Sequence, residues 1–442
     1  MVTRLQAKSA TRRSAPARCE GREKGRDSNN PANNNEFNLI PEPHEDGGDE
    51  EAKFRGFFPC PRTLGLAVTV APKATLVSFR RRHIKYVVAI KVKASRLCSS
   101  VAASMPSLAE LWHTTLADVK SMALKCALNL RIADAIQLHG GGATLPKIIA
   151  KVTLHPSKIP CLRRLMRVLS VTGIFNIQQP ANDGGEQVYG LTPASQLLVG
   201  ASNLTPLMTL VLDSISVCLF LDLGAWFQRE LPDLSLFEMK HGQSPWDFIN
   251  QNSLFGALFN EGMVSDCSFI MDIVIKECDD VFQGISSLID VAGGLGGAAQ
   301  AIAKAFPHVK CSVLDLPQVV ASAPASTNVK YTAGDMFESI PSANAVFLKD
   351  DAECVKILKN CKKSISPRDA GGKIIILDMV VGGGKSNLKH QETQVLFDFF
   401  IMFFNGVERN EQGWKKIIFE AGFSDYKIMP ILGVRSIIEV YP

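Results

Sequence analysis

The glycine-rich segment at residues 290–297 constrains the fold of this chain more than any other feature. It reads DVAGGLGG, follows an apolar run, and precedes AAQAIAKAF, which has helical spacing. Positions without a side chain let the backbone approach a ligand closely, and a helix N-terminus favours polar or anionic groups. The segment therefore predicts a strand, a ligand-binding turn and a helix. A tight turn that binds no ligand is the structural alternative.

From residue 284 onward, short apolar strands alternate with helical patterns. The predicted strands include SSLIDV, CSVLDL, AVFLK and KIIILDMV, and helical patterns such as ECVKILKNCKKSI lie between them. This alternation predicts an α/β fold with a doubly wound parallel sheet, in which helices cover both faces. We expect a domain at 201–442, made of linking helices at 201–283 and a Rossmann-like core at 284–442.

An acidic residue after the second predicted strand indicates what the turn binds. Asp315 ends that strand, and a carboxylate at this position can accept hydrogen bonds from both hydroxyls of a ribose. Gly294, Gly296 and Ala299 also fit the G-x-G-x-x-A spacing of nicotinamide enzymes. The glycines alone leave NAD and S-adenosylmethionine open as cofactors.

The first 105 residues differ in composition from the rest of the chain. The chain has 48 basic and 43 acidic side chains, and the basic excess lies in residues 1–105, whereas the remainder is mildly acidic. Asn-, Gly- and Pro-rich stretches in this extension predict disorder. Its Arg- and Ser-rich start has no apolar core of a secretory signal, so we expect a cytoplasmic protein, with organelle targeting as the alternative.

Eleven cysteines are scattered along the chain without a C-x-x-C pair. They predict neither a zinc site nor a disulfide framework, and a reducing compartment fits them best. The most apolar stretch, 207–227, contains two aspartates. It predicts a buried or interface helix rather than a membrane span, so we expect no membrane partner.

Residues 106–200 have the pattern of a winged-helix module, with three helices followed by a hairpin. On the third helix, four basic residues could contact DNA phosphates: Lys158, Arg163, Arg164 and Arg167. The alternative is that its leucines are buried and the basic residues face solvent. We favour a dimerisation module without nucleic-acid binding, because the folded part of the chain is mildly acidic.

Across 108–442 the chain resembles plant phenolic O-methyltransferases of the caffeic acid and isoflavone type. The resemblance is carried by LIDVAGGLGGAAQAIAKAFPHVKCSVLDLPQVV, GDMFESIPSANAVFLK, GGKIIILDMV, NGVERNEQGWKKIIFEAGFSDYKI and FNEGMVSD. It implies a winged-helix dimerisation domain that contributes to the partner's active site, followed by a Rossmann-like domain that binds S-adenosylmethionine. The implied reaction is metal-free methyl transfer to a phenolic hydroxyl, by a homodimer or a heterodimer with a paralogue.

The resemblance also assigns residues to the cofactor: Gly293, Gly294, Gly296, Asp315, Asp335, Met336 and Lys349. The three glycines would contact its methionine part and Asp315 its ribose. The GDMF residues would flank its adenine, and Lys349 would also reach the cofactor. The family usually has glycine where this chain has Ala292, so we expect the methyl group there to crowd the cofactor.

The catalytic part of the resemblance is incomplete. The family uses a histidine as the base, in a W-x-x-H-D-W-type segment directly after the lysine, and two acids orient it. Asp378 and Glu408 match the acids, but after Lys349 the chain continues DDAECVK, and none of its eight histidines is nearby in sequence. His390, which precedes the substrate-side helix, is a candidate substitute.

We therefore expect a methyltransferase fold that binds its cofactor, with catalysis impaired by the missing base. The alternative is an inactive relative that acts by dimerisation, using Trp112, Met122 and the 207–227 stretch. An error at an exon boundary could also have removed the segment. Met263 and Met402 are the residues that we expect to shape the phenolic pocket.

Overall fold

The structure is a computed structural model that describes residues 106–178, 186–201, 203–230, 234–325, 328–349, 354–383 and 387–442. Within these ranges His113–Pro442 belong to one compact unit, and residues 106–112, from a second unit, are helical. The predicted extension at 1–105 and the DDAE sequence after Lys349 lie outside the described residues.

The N-terminal module combines helices with a small antiparallel sheet. Its helices are α1 (Ala117–Asn129), α2 (Ile132–Gln137), α3 (Leu145–Ile149) and α4 (Ile159–Val171). Its strands, in the order β1-β3-β2, are β1 (Gly142–Thr144), β2 (Phe175–Gln178) and β3 (Val188–Leu191). The hairpin of β2 and β3 confirms the sequence prediction. The sequence pattern did not predict β1, and Thr144 ends this strand without a capping hydrogen bond from its side chain.

Helix α4 is amphipathic, with one apolar face and one basic face. Leu162, Met166 and Leu169 are buried in the core of the module, whereas Arg163, Arg164 and Arg167 are exposed. Burying a hydrophobic stripe of this kind is what holds a short helix against its neighbours. The arginines thus form the solvent side of α4.

Short helices connect this module to the large sheet. They are α5 (Pro193–Gln196), α6 (Thr205–Val211), α7 (Ser214–Val217), α8 (Leu223–Trp226), α9 (Leu236–His241), α10 (Pro245–Gln251) and α11 (Ser253–Glu277). Asn252 starts the 25-residue α11, since its side-chain oxygen accepts a hydrogen bond from the Phe255 N–H at 3.0 Å.

The apolar stretch that the sequence predicts to be one helix is divided into several. Among the described residues, Thr205–Trp226 is long and apolar enough to cross a membrane by length and composition alone, and 17% of its most apolar window is buried. A turn at Asp213 and a 3₁₀ segment at Cys218–Asp222 interrupt it, because the Asp213 carboxylate caps a new helix. Phe220 and Leu221 are exposed in the single chain. The expectation of a buried helix is therefore wrong for these residues, and the interface interpretation remains a prediction.

The large sheet occupies the C-terminal half of the chain. Its strands are β4 (Ser287–Val291), β5 (Lys310–Asp315), β6 (Lys330–Ala333), β7 (Ala345–Lys349), β8 (Lys373–Val381), β9 (Arg409–Asn410), β10 (Asp425–Leu432) and β11 (Arg435–Tyr441). The helices between them are α12 (Gly297–Ala305), α13 (Pro317–Val320), α14 (Cys354–Ser364), α15 (Leu388–Met402) and α16 (Glu411–Glu420).

The strand order confirms the doubly wound α/β prediction. The order is β10-β11-β8-β7-β4-β5-β6, with β9 beside β8, and β4 to β8 are parallel. Strands β10 and β11 run antiparallel at one edge, which the sequence did not predict. Two buried apolar clusters pack against the sheet. The order reverses at β4, and ligands bind such sheets in the crevice outside the carboxyl ends at this point.

Candidate functional site

The glycine turn leads from β4 into α12 by way of three residues in the left-handed conformation. Ala292, Gly294 and Gly296 have φ angles of 55°, 60° and 77°. The backbone N–H of Ala292 donates to the Leu314 carbonyl at 2.8 Å, which joins the turn to β5. The turn therefore lies at the carboxyl edge of the sheet, as the sequence predicts.

Two of the glycines are required by close neighbours. A Cβ atom on Gly293 would lie 2.5 Å from Asp290 Oδ2, and one on Gly296 would lie 2.5 Å from Tyr331 Oη. Real Cβ atoms do not approach other atoms this closely, and Gly296 also has a positive φ that glycine adopts at little cost. These contacts give a structural reason for the glycines besides ligand approach.

Ala292 is the residue of the turn that departs from the family pattern. A non-glycine residue in the left-handed region costs roughly 1–2 kcal/mol. Ala292 also lines the cleft described below. The position at which we expect crowding of the cofactor therefore has a strained backbone and belongs to the cleft wall.

Asp315 ends β5 with its carboxylate held by the backbone. Oδ2 accepts from the Gly294 N–H at 2.8 Å, and Oδ1 accepts from the Leu316 N–H at 2.7 Å. The residue is 4% exposed, and burial raises the pKa of its carboxyl while these two hydrogen bonds oppose the rise. A carboxylate oxygen accepts more than one hydrogen bond, so both oxygens retain capacity for hydroxyl donors.

A cleft opens beside Asp315. Its lining comes from the glycine turn, from the end of β5 and from the GDMF segment: Ala292, Leu314, Asp315, Leu316, Gly334, Asp335, Met336 and Phe337. The Asp335 carboxylate accepts from the Phe337 N–H at 2.8 Å, and Met336 is buried. The Gly334 N–H donates to the Asp315 carbonyl at 3.0 Å. Two acids beside apolar walls suit a nucleoside.

Lys349 ends β7 next to this turn. Its neighbour Leu348 pairs with Val291 of β4, and Lys349 itself pairs with Leu377 of β8. The backbone of Lys349 therefore lies at the carboxyl edge, between the turn and the acids on β8. The cofactor residues predicted from the sequence meet at this one edge.

The two predicted catalytic acids lie farther along the same edge. Asp378 is near the end of β8, and β9 pairs in parallel with Val380 and Val381, which brings Glu408 alongside. Asp378 and Glu408 are both 7% exposed. The Asp378 carboxylate accepts from the Met379 N–H at 2.7 Å, and the Glu408 N–H donates to Asp398 at 2.7 Å. The structure thus brings together two acids that are distant in sequence.

An ion pair that sequence reasoning missed lies beside these acids. Arg435, at the start of β11, donates to Asp266 of α11 at 2.8 Å. Burial opposes the charge of Arg435, but Asp266, with Asp378 and Glu408 close enough to contribute, outweighs it and raises the arginine pKa. The only signal in the sequence was FNEGMVSD, in which Asp266 is the last residue.

The two predicted pocket methionines lie in different but neighbouring clusters. Met263 of α11 packs with Phe255 and Phe259, and Met402 packs with the aromatic residues at the end of α15. Trp246 and Phe248 contact both clusters. The structure brings the methionines to adjoining apolar regions without showing a phenol site between them.

Two histidines are relevant to the missing base. His390 lies in the first turn of α15, one turn before Gln394, whose side chain donates to the Val434 carbonyl next to Arg435. His241 stacks between Phe237 and Phe248, and its Nε2 lies 3.2 Å from the Ile215 carbonyl. Burial lowers the pKa of His241 and favours the neutral ring. His390 as a substitute base stays a prediction.

Among the residues that the structure describes, no group of three or more His, Cys, Asp or Glu side chains could hold a metal ion. The carboxylates of Asp315, Asp335 and Asp378 accept from backbone N–H groups, and Asp266 pairs with Arg435.

Comparison with known proteins places this architecture in a family. Residues 220–424 match the O-methyltransferase domain, and residues 112–201 match the O-methyltransferase dimerisation domain. The chain is 59% identical over 346 residues to O-methyltransferase ZRP4 of Zea mays, covering 75% of this chain and 95% of the relative. It is 51% identical to 5-pentadecatrienyl resorcinol O-methyltransferase of Sorghum bicolor, covering 75% and 96%. For trans-resveratrol di-O-methyltransferase of Vitis vinifera the identity is 44%, covering 76% and 96%.

Solved structures support the fold. The S-adenosylhomocysteine-bound form of CalO1, a methyltransferase in calicheamicin biosynthesis, has a TM-score of 0.64 at 22% identity, covering 76% of this chain and 98% of that one. Human N-acetylserotonin methyltransferase in complex with S-adenosylmethionine has a TM-score of 0.61 at 17% identity, covering 76% and 97%. The chain therefore belongs to the O-methyltransferase family and carries both its methyltransferase domain and its dimerisation domain.

Proposed function

We propose that this protein binds S-adenosylmethionine in the cleft beside Asp315 and transfers its methyl group to a phenolic hydroxyl, with a low rate. The observation that carries the proposal is the Asp315 carboxylate, buried at the end of β5 between the glycine turn and the GDMF segment. Relatives that are named for resorcinol and resveratrol methylation support a phenolic acceptor.

The residues of the cleft fit this cofactor chemically. Asp315 would accept hydrogen bonds from the ribose hydroxyls. Met336 and Phe337 offer an apolar wall to the adenine, with Asp335 at its edge. Gly293, Gly294 and Gly296 would approach the methionine part, and Lys349 would also contact the cofactor. When bound, the cofactor supplies an electrophilic methyl group on a sulfonium.

The acceptor must lose a proton for this transfer. A phenol has a pKa of about 10, so only about one molecule in a thousand is ionised at pH 7. Asp378 and Glu408 would orient a histidine base in this family, and the segment directly after Lys349 lacks one. A general base contributes about 10²–10⁴ in rate, so we infer slow turnover that depends on phenolate from solution.

The acting species is proposed to be a dimer. The dimerisation domain matches 112–201, and several large apolar side chains of this region are exposed in the single chain: Leu116, Val119, Met122, Leu138 and Val171. A second copy, or a paralogue, would cover such side chains, and their exposure in a monomer would be unusual. The inactive dimerising protein remains the second candidate, favoured by the missing histidine alone.

Labelled methyl transfer from S-adenosylmethionine to a panel of phenols tests the proposal. Turnover above the uncatalysed background, inhibited by S-adenosylhomocysteine, is the expected result. Binding of S-adenosylhomocysteine without any turnover would favour the inactive alternative. Absence of both binding and turnover would contradict the cofactor site itself.

A further inference from the structure

A triangle of hydrogen bonds holds the glycine turn at Leu295. Tyr331 Oη and Gln300 Nε2 each donate to the Leu295 carbonyl oxygen at 2.9 Å. Gln300 Nε2 also donates to Tyr331 Oη at 3.1 Å. The tyrosine hydroxyl therefore donates one hydrogen bond and accepts another, and the amide uses both of its N–H groups.

The tyrosine is also fitted to the turn by shape. Its hydroxyl oxygen occupies the space next to Gly296, where a Cβ would lie only 2.5 Å away. Tyr331 lies on β6 and Gln300 on α12, so the triangle connects an outer strand of the sheet to the turn after β4. These contacts are tertiary, since α12, β5 and α13 lie between Leu295 and Tyr331 in the chain.

The triangle and Asp315 act on different parts of the turn. Asp315 holds Gly294 through its backbone N–H, at the side where the ribose would bind. The triangle holds the next residue through its carbonyl oxygen, at the start of α12. A ligand that engages Asp315 can therefore compete with the first contact and leave the second in place.

We propose that Tyr331 and Gln300 are positioning residues that fix the glycine turn in the conformation that receives the amino-acid part of the cofactor. The inference rests on the proposed function, because it assumes that the turn faces this part. A turn with glycines at 293, 294 and 296 has many conformations when it is loose, and fixing one of them before binding reduces the entropy that binding costs. Neither side chain needs to touch the ligand for this effect.

The test compares two ligands by calorimetry with Tyr331→Phe and Gln300→Ala. S-adenosylhomocysteine contains the amino-acid part, whereas 5′-deoxy-5′-methylthioadenosine has the same nucleoside and lacks it. Losing net hydrogen bonds of ordinary strength should weaken S-adenosylhomocysteine binding by about 3–10-fold in each variant. Binding of methylthioadenosine should remain unchanged.

Two controls separate positioning from general destabilisation. Tyr426→Phe removes a tyrosine hydroxyl that donates to Glu411 at 3.2 Å on an exposed strand, and it should change neither affinity. The double variant Tyr331→Phe with Gln300→Ala should lose less than the sum of the single losses, because the two residues share the contact to Leu295.

Three results would overturn the inference. If both variants bind S-adenosylhomocysteine as tightly as the unchanged protein, the triangle has no role in binding. If a variant loses affinity equally for both ligands, the triangle has only a structural role. If the unchanged protein binds methylthioadenosine and S-adenosylhomocysteine equally well, the turn does not receive the amino-acid part. Failure of the unchanged protein to bind either ligand would instead overturn the proposed function, and this inference with it.

Discussion

The carboxyl edge of the large sheet has two halves that differ in how complete they are. Around β4 and β5, the turn, Asp315 and the GDMF segment are joined by backbone hydrogen bonds and surround a cleft. Around β8 and β9, Asp378 and Glu408 lie together beside Arg435, but the sequence lacks the histidine segment of the family. In the proposed function, the first half would bind the cofactor and the second would take part in proton removal.

This difference shows that the two tasks are built from separate elements. The cleft takes its residues from the strand ends before Lys349, and the acids come from strands after it. A deletion between the halves therefore removes the base without removing a residue that lines the cleft. Cofactor binding and catalysis should respond to different substitutions, and the following predictions use this separation.

The largest effect is expected from restoring the missing part. Insertion of a family-type W-x-x-H-D-W segment directly after Lys349 should raise turnover by about 10²–10⁴, because it supplies a general base. Without a base, turnover should rise with pH toward the phenol pKa of about 10, and with the histidine it should level off near pH 6.5. Rate–pH profiles of both proteins measure this.

A matched insertion with glutamine in place of the histidine controls for the loop itself. If it raises turnover as much as the histidine insertion does, the pocket wall rather than the base was missing. No gain from either insertion would contradict the account of the catalytic half.

The next effect concerns the ion pair beside the acids. Arg435→Ala should lower the free energy of unfolding by about 3–5 kcal/mol, because it removes one member of a buried ion pair. Arg368→Ala is the matched control: Arg368 pairs with Asp425 at 3.0 Å, both are more than half exposed, and the loss should stay below about 1 kcal/mol. Urea denaturation measures both values. Equal losses in the free energy of unfolding would show that the buried pair stabilises the protein no more than the exposed pair does.

A smaller effect is expected in the cofactor half. Asp315→Asn should weaken S-adenosylhomocysteine binding by about 10–100-fold, since a hydrogen bond to a charged group contributes about 1.5–3 kcal/mol. Asp369→Asn, at an exposed aspartate, should leave binding unchanged. Calorimetry with both variants provides the comparison.

The same residue predicts a pH dependence. Burial raises the pKa of Asp315 above its ordinary value of 3.8, and the ionised carboxylate is the form that accepts the ribose hydroxyls. Affinity should therefore be full at neutral pH and decline as the pH falls through the raised pKa. A decline of the same size in Asp315→Asn would show that another group is responsible.

The smallest effect is expected from the residue that departs from the family. Ala292→Gly relieves a left-handed alanine and removes the methyl group from the cleft, so S-adenosylhomocysteine affinity should increase a few-fold. Arg131→Gly relieves a similar φ of 54° in the N-terminal module. Each change should alter the free energy of unfolding by at most about 1 kcal/mol, because the glycine also loosens the unfolded chain. Only Ala292→Gly should alter the affinity for S-adenosylhomocysteine. If Arg131→Gly raised the affinity equally, crowding of the cofactor by Ala292 would be excluded.

Local patterns were sufficient to predict the frame of the molecule. Periodicities of 2 and 3.6 residues predict the strands and helices of the large sheet. The glycine turn is a local sequence signal, and Asp315 is recognised because it ends the next predicted strand. The resemblance named Asp378 and Glu408 as a pair of acids, and in the structure both lie at one edge of the sheet.

Tertiary contacts account for what the sequence did not predict. Arg435 and Asp266 are separated by 169 positions, so no window of the sequence contains both. The Tyr331–Gln300 triangle depends equally on how β6 and α12 pack. Mean hydropathy alone predicts one continuous helix over 205–226. The stretch is divided because the Asp213 side chain caps a new helix. Strand β1, which pairs with β3, has only three residues, and so short a segment has no recognisable sequence pattern.

Calorimetric titration of S-adenosylhomocysteine into the unchanged protein and into the histidine-insertion variant tests the separation of the two halves most directly. The account predicts saturable binding at one site per chain, with equal dissociation constants, although turnover differs by about 10²–10⁴. An unchanged protein that fails to bind, while the insertion variant binds, would contradict it, because the missing segment would then be part of the cofactor site.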